Sequence, residues 1–375
     1  MPHIHRRFGA LGSQATTCAA LFALAACGSS SDATPGVNTG DGGSSGTGGE
    51  GGAQDGALAA DGAPRDGGAD VVFDAPLPRG PGRITLRLPD GKWHRLAAAT
   101  GGASQDLTAP MESISTGSDD FVNTSRDGDW FVATGSRFSC ATGGCLDIFT
   151  GDLKKGSEVQ PGGTSVQTAS ARATVADGGN VIVYPGKNGP HSVDLYSVTR
   201  VGGVWGAPVL LTGASTFAFH HDASIAPDGT RVVFDCGADP YAQPPTSICE
   251  VGTDGKGFQE VLSPSDGPDK GASHALHHPD YTPQGDFVFE ADWPSEQIWK
   301  VARGSKSPVK VSPANQTDDN SPCVLPDGHI ASLWLGRAGN TGSAHEVKVM
   351  NADGSGSVMV LTGTDVVDIG MSCSN

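Results

Sequence analysis

Apolar and polar residues alternate along most of the chain beyond residue 82, in short runs separated by Gly, Asp and Pro. In DNSPCVLPDGHIASLWLG and HEVKVMNADGSGSVMVLT, within 319–362, the alternation breaks at Pro326-Asp327-Gly328 and again at Asp353-Gly354. A period of two marks strands, and Asp-Gly between two such runs marks a hairpin. The stretch therefore predicts four short strands: one ending at the 326–328 turn, one over 329–335, one around 346–350 and one over 357–361.

The same unit recurs at SDDFVNTSRDGDWFVATG, TASARATVADGGNVIVYPG, FHHDASIAPDGTRVVFDCG and LHHPDYTPQGDFVFEADW. The turn glycines Gly128, Gly178, Gly229, Gly285 and Gly328 stand 50, 51, 56 and 43 residues apart, near the four-strand period of a propeller blade. A second hairpin follows each, so five blades are legible. ITLRL, KWHRLAA and SQDLT, within 83–108, supply three further strands, and DVVDIGMSC near the C-terminus supplies a fourth. Both termini are therefore expected to build one more blade and close the ring, which removes two unpaired sheet faces. The expected fold class is all-β, a six-bladed β-propeller over residues 83–375. Five or seven blades stay compatible with the spacing, and the period disfavours a sandwich.

The pattern of Asp, two residues, Pro, then Pro-Asp-Gly before an apolar strand, followed by a further strand, Asp-Gly and Leu-Thr, resembles the repeat of the periplasmic TolB-type β-propellers. It fits best over 319–362, well over 220–237 and less closely over 169–185, where Ala176 replaces the turn proline. Six blades are common in that family, as the resemblance implies. It specifies a fold and no chemistry.

The first residues read differently. MPHIHRRFGALGSQATTCAALFALAACGSS has a cationic start at Arg6-Arg7, an apolar run and then Leu24-Ala25-Ala26-Cys27, which marks residues 1–26 as a secretory signal. A cysteine at the cut site resembles the lipobox of bacterial lipoproteins, so Cys27 is expected to carry the lipid; an ordinary secreted protein cut nearby is the alternative. Gly28, rather than Asp, resembles the sorting signal for the outer membrane, with the propeller facing the periplasm or the cell exterior. Residues 27–82 are rich in Gly, Ser, Ala and Asp; such a segment buries too little apolar surface to order itself. It is expected to be a disordered tether, with a reach of about 40 Å for about 50 residues.

Charge narrows the partners. Residues 1–26 hold two arginines and no acid, so their removal takes the net charge from −17 to −19. An acidic surface repels nucleic-acid phosphates and anionic lipid. The expected partner is an envelope protein or a polysaccharide ligand, with membrane contact through the N-terminal lipid alone and no nucleic acid.

Export implies an oxidising compartment, and six cysteines remain after Cys18 and Cys27, an even number that reads as disulfides. Cys140–Cys145 and Cys236–Cys249 would staple hairpins at corresponding places in two blades. Cys323–Cys373 would join the inner strands of the last full blade and the closing one, provided that these strands approach within disulfide reach. No CxxC pair points to a cysteine metal site.

Seven to nine positions before each turn glycine, where the chain re-enters the central channel, stand Asp119 and Asp120, then His220, His221 and Asp222, then His277 and His278, then Asp319 and Asn320; the terminal strand adds Asp368, and His274 lies close by in sequence. Imidazole and carboxylate around an opening suit a polar ligand or a divalent metal ion, with His221 and His278 as the candidate metal ligands. The competing reading makes the acids backbone caps and the histidines hydrogen-bond bridges between blades. No catalytic constellation stands out: Ser307-Pro308-Val309-Lys310 matches Ser-x-x-Lys only at a turn, and no Gly-x-Ser-x-Gly elbow occurs. Trp130, Trp293, Trp299 and Trp334 are expected in the core rather than as sugar platforms. The functional expectation is an outer-membrane-anchored lipoprotein whose propeller is a protein- or ligand-binding scaffold, more a binder than an enzyme. The alternative is a metal-dependent polysaccharide lyase, or another carbohydrate-acting enzyme, using a histidine-lined channel mouth.

Overall fold

The computed structural model describes residues 82–99, 105–108, 119–135, 147–152, 158–159, 172–187, 189–238, 244–293, 295–313, 318–334, 345–366 and 370–375. The chain divides into two units, Met1–Asp61 and Gly62–Asn375, and every described residue belongs to the second. Cys27, Cys140, Cys145 and Asp368 lie outside the described residues.

Six antiparallel sheets occur among the described residues. The first pairs Arg83–Arg87, Trp93–Ala97 and Gln105–Asp106 with the C-terminal strand Ser372–Ser374. The second contains Asp119–Thr124, Trp130–Gly135, Asp147–Asp152 and Glu158–Val159. The third runs Thr174–Val175, Val181–Gly186 and Asp194–Val201, with Val204–Trp205 and Val209–Leu210 both paired to its third strand. The fourth is Phe219–Ile225, Arg231–Gly237, Thr246–Gly252 and Gln259–Leu262. The fifth is Leu276–Tyr281, Phe287–Ala291, Gln297–Val301 and Val309–Lys310. The sixth is Asp319–Val324, Ile330–Trp334, His345–Met350 and Val358–Val366.

The Pro-Asp-Gly turns form for a local reason. At Gly229 and Gly328 the backbone sits at φ 71° and 94°, which glycine adopts without a Cβ clash. The Gly229 N–H donates to Ala226 O at 2.8 Å and the Gly328 N–H to Leu325 O at 2.9 Å. The preceding aspartates then accept backbone N–H groups, Thr230 on Asp228 at 3.0 Å and His329 on Asp327 at 3.1 Å. The turn thereby fixes the register of the first two strands through local contacts.

Hydrophobic clusters lie between successive sheets. Trp93 and Leu107 of the first sheet meet Val122 and Phe131 of the second; Val132 of the second meets Ile182 and Tyr184 of the third; Leu195 of the third meets Phe234 and Val251 of the fourth. Val233 and Ile248 of the fourth meet Phe289 and Trp293 of the fifth, and Val288 and Ile298 of the fifth meet Val324 and Met350 of the sixth. Leu333 and Val349 of the sixth pack on Ile84 and Leu86 of the first. Each fully buried Leu, Val or Phe in these seams contributes about 1.5–3 kcal/mol of transfer free energy. The architecture is an all-β β-propeller in which Thr124, Thr174, Ala223, Asp280, Cys323 and Ser372, one from each sheet, line one cavity.

Two expected disulfides are formed. Cys236 and Cys249 join the second and third strands of the fourth sheet with Cα atoms 6.0 Å apart. Cys323 and Cys373 are 5.5 Å apart at Cα, so the inner strands of neighbouring sheets do approach closely enough. Trp293 and Trp299 are buried as expected, while half-buried Trp130 lies beneath the Arg200 guanidinium at 4.4 Å. No helix among the described residues is long and apolar enough to cross a membrane.

Candidate functional site

The inner strands carry the candidate residues, and three of them share an irregularity. The ladder slips between His221 and Ser224, between His277 and Asp280, and between Asn320 and Cys323. In each bulge one residue other than glycine adopts a left-handed backbone: Asp222 at φ 44°, His278 at 49° and Ser321 at 47°. Each lies seven positions before its turn glycine. Such a conformation costs about 1–3 kcal/mol and persists where surrounding contacts enforce it.

Here those contacts form a chain across three sheets. His221 Nδ1 stands 3.2 Å from Asp222 Oδ2, and the same oxygen is 3.2 Å from His278 Nε2. His278 Nδ1 reaches Glu290 Oε2 at 3.2 Å, and the Ser321 N–H donates to that Glu290 oxygen at 3.0 Å. Beside it, His277 Nδ1 donates to Asp235 Oδ2 at 2.9 Å. Burial works against the Asp222 carboxylate, but His221, His278 and Arg172 outweigh it and hold the carboxyl well below the ordinary range. Burial also opposes a charge on His278, yet Asp222 and Glu290 prevail and raise its pKa. His278 is thus held between two carboxylates that favour its charged form.

Below this chain the channel is closed by the protein's own side chains. Arg126, from the first turn of the second sheet, reaches the fifth: its Nη2 donates to Asp280 Oδ1 at 2.6 Å and to Tyr281 O at 2.7 Å. Asp280 also accepts from the Ser224 hydroxyl at 2.5 Å and the Val324 N–H at 2.7 Å, which ties the fourth and sixth sheets to the same carboxylate. Arg172 donates to Asn123 Oδ1 at 3.4 Å and to the Met371 carbonyl. A cavity among the described residues, lined by Arg126, Arg172, Asp222, Asp280 and Ser372, has a volume of about 50 Å³.

The predicted site residues separate into two groups. His221, Asp222, His277 and His278 come together as described. His220 does not face the channel. It is fully buried, with Nδ1 donating to Val193 O at 2.7 Å and Nε2 accepting from the Ser215 hydroxyl at 2.7 Å. Consecutive strand residues point to opposite faces, so His220 turns into the seam between the third and fourth sheets. Burial lowers its pKa to about 4. Asp319 is likewise fully buried, paired with Lys348 of its own sheet rather than placed at the mouth. Burial raises the Asp319 carboxyl and lowers the Lys348 ammonium. Asp119 opens the inner strand of the second sheet. His274 is held by Asp292 at 2.9 Å and Asp269 at 2.7 Å.

Both ring nitrogens of His278, the other candidate metal ligand, lie 3.2 Å from carboxylate oxygens of Asp222 and Glu290. The group whose ligand atoms lie within 4.8 Å of one another is His221, Asp222 and Asp235, and His191, Asp194 and His220 form another. Asp235 and Glu290 were missed from the sequence. Both are acids that follow the apolar run of the second strand, VVFD and FVFE, opposite a histidine, and that pattern was the available signal.

No protein-family model matches the sequence, and no curated protein matches it. Among solved structures, TolB from Acinetobacter baumannii matches over 78% of this chain and 66% of its own length, with a TM-score of 0.56 and 12% identity. The fold is that of the TolB-type β-propellers. A chain of the nidogen/laminin complex matches this TolB-type propeller over 78% of its length and 98% of the other, with a TM-score of 0.52 and 8% identity. Hydrazine synthase of Kuenenia stuttgartiensis matches over 77% and 47%, with a TM-score of 0.50 and 14% identity. The chain spans just under two thirds of the TolB it matches.

Proposed function

We propose that this chain is a lipid-anchored outer-membrane protein whose TolB-type propeller is a binding scaffold for another envelope protein. One observation carries the reading: among the described residues, the cavity that the inner strands share is crossed by hydrogen-bonded side chains and has a volume of about 50 Å³. Pockets that bury a small-molecule ligand run to about 300–1,000 Å³. Recognition is therefore assigned to the outer faces and loops of the propeller, and so small a volume weighs against the lyase alternative. A six-bladed ring sealed by both termini is part of the proposal. Its support is the pairing of Ile84 with Cys373 and Thr85 with Ser372, together with the cluster that packs the sixth sheet on the first. The anchor rests on Leu24-Ala25-Ala26-Cys27, Gly28 and the Gly-rich residues that follow.

The test uses the full-length lipidated protein, immobilised through its N-terminal segment and incubated with solubilised envelope proteins, then cross-linked. One protein retained in stoichiometric amount, and released by excess free propeller, supports the reading. Turnover of acidic or neutral oligosaccharides by the purified protein, or the absence of any such retained protein, overturns it.

A further inference from the structure

One buried side chain beside the closed channel is left incomplete. Asp235 is fully buried; its Oδ2 accepts from His277, but its Oδ1 has no hydrogen-bond partner among the described residues. An unsatisfied buried carboxylate oxygen is costly. Register places Asp235 directly opposite His221, and the bulge at Asp222 turns a second carboxylate to the same place. His221, Asp222 and Asp235 each offer a ligand atom within 4.8 Å of the other two. Atoms bound at about 2.0–2.4 Å to one ion satisfy that separation.

The charges favour a cation. Three buried carboxylates, Asp222, Asp235 and Glu290, converge on His221, His277 and His278 and outnumber the one arginine, Arg172, that acts on Asp222. His277 donates to Asp235 and His278 Nε2 stands 3.2 Å from Asp222 Oδ2, so each carboxylate is faced by a histidine of the next sheet. That is the bracing which metal-binding carboxylates receive from their surroundings.

We propose that His221, Asp222 and Asp235 bind one divalent first-row transition ion at the seam between the fourth and fifth sheets, with His277 and His278 holding the two carboxylates in place. Imidazole with carboxylate oxygen selects zinc or manganese over calcium or magnesium. The ion joins two strands of one sheet while its bracing residues come from the next, so its structural effect is to lock the two blades together. Loss of the ion leaves the outer surface of the propeller unchanged, so this outcome is separable from partner binding.

The experiment titrates metal-stripped full-length protein with ZnCl2 or MnCl2, measuring bound metal after gel filtration and the melting temperature in parallel. The expected result is one ion per chain and a melting temperature that rises with metal concentration. Binding is expected to weaken at least tenfold in both Asp235→Asn, which keeps the side-chain volume, and His221→Gln. As a readout on the unsubstituted protein, cobalt loading is expected to give a visible spectrum of nitrogen and oxygen ligation. No bound ion at saturating metal, undiminished binding in either variant, or a thiolate charge-transfer band that places the ion on cysteine would each overturn the proposal.

Discussion

The Cys323–Cys373 disulfide offers the sharpest test of how the propeller is held shut. It joins the inner strand of the sixth sheet to the C-terminal strand of the first, with a sequence separation of 50. Closing a loop of that size removes about 14 cal/mol/K from the unfolded chain, or about 4 kcal/mol at 25 °C. The Cys236–Cys249 bridge, with a separation of 13, is worth about 3 kcal/mol on the same basis. Over residues 83–375, at about 2.1 cal/mol/K of unfolding entropy per residue, one kcal/mol moves the melting temperature by about 1.6 °C. The paired variant Cys323→Ala/Cys373→Ala is therefore expected to melt about 7 °C lower, and Cys236→Ala/Cys249→Ala about 5 °C lower. Differential scanning calorimetry on oxidised protein, at one scan rate, measures both. The entropic reasoning is refuted if removing the bridge between sheets costs less than removing the hairpin staple, or shifts the melting temperature by under 2 °C.

Three further outcomes are expected. His220, with its pKa lowered from 6.5 to about 4 by burial, stays neutral in the folded chain while the unfolded chain takes up a proton. The stability present above pH 6.5 therefore falls as pH drops towards 4, by about 3 kcal/mol in all, and denaturant titrations in chelator should show this slope disappear in His220→Gln. Lys348→Met leaves the buried Asp319 uncompensated and is expected to cost about 3–5 kcal/mol, whereas Asp319→Leu/Lys348→Met should lie within about 1 kcal/mol of the parent by urea unfolding. Cys27→Ala is expected to abolish radiolabelled palmitate incorporation and to move the protein from the membrane fraction to the soluble one; label retained in the variant refutes the anchor.

Local periodicity carried the architecture. Alternation with a period of two, Pro-Asp-Gly turns and their recurrence every 43 to 56 residues specify short strands in hairpins, because turn chemistry and strand pairing act between near neighbours. The cysteines at 236, 249, 323 and 373 were paired correctly on the same grounds, since they occupy repeat positions that the blades bring together. The site was legible only in part. That histidines and acids precede each turn glycine is visible along the chain, but alternation sends His220 into one seam and His221 to the opposite face, and a bulge in one strand decides which neighbour is displaced. Asp235, Glu290 and Arg126 enter from other strands or other sheets. Nothing within a run of ten residues records that Arg126 meets Asp280, because that contact exists only once the sheets have curved round and packed.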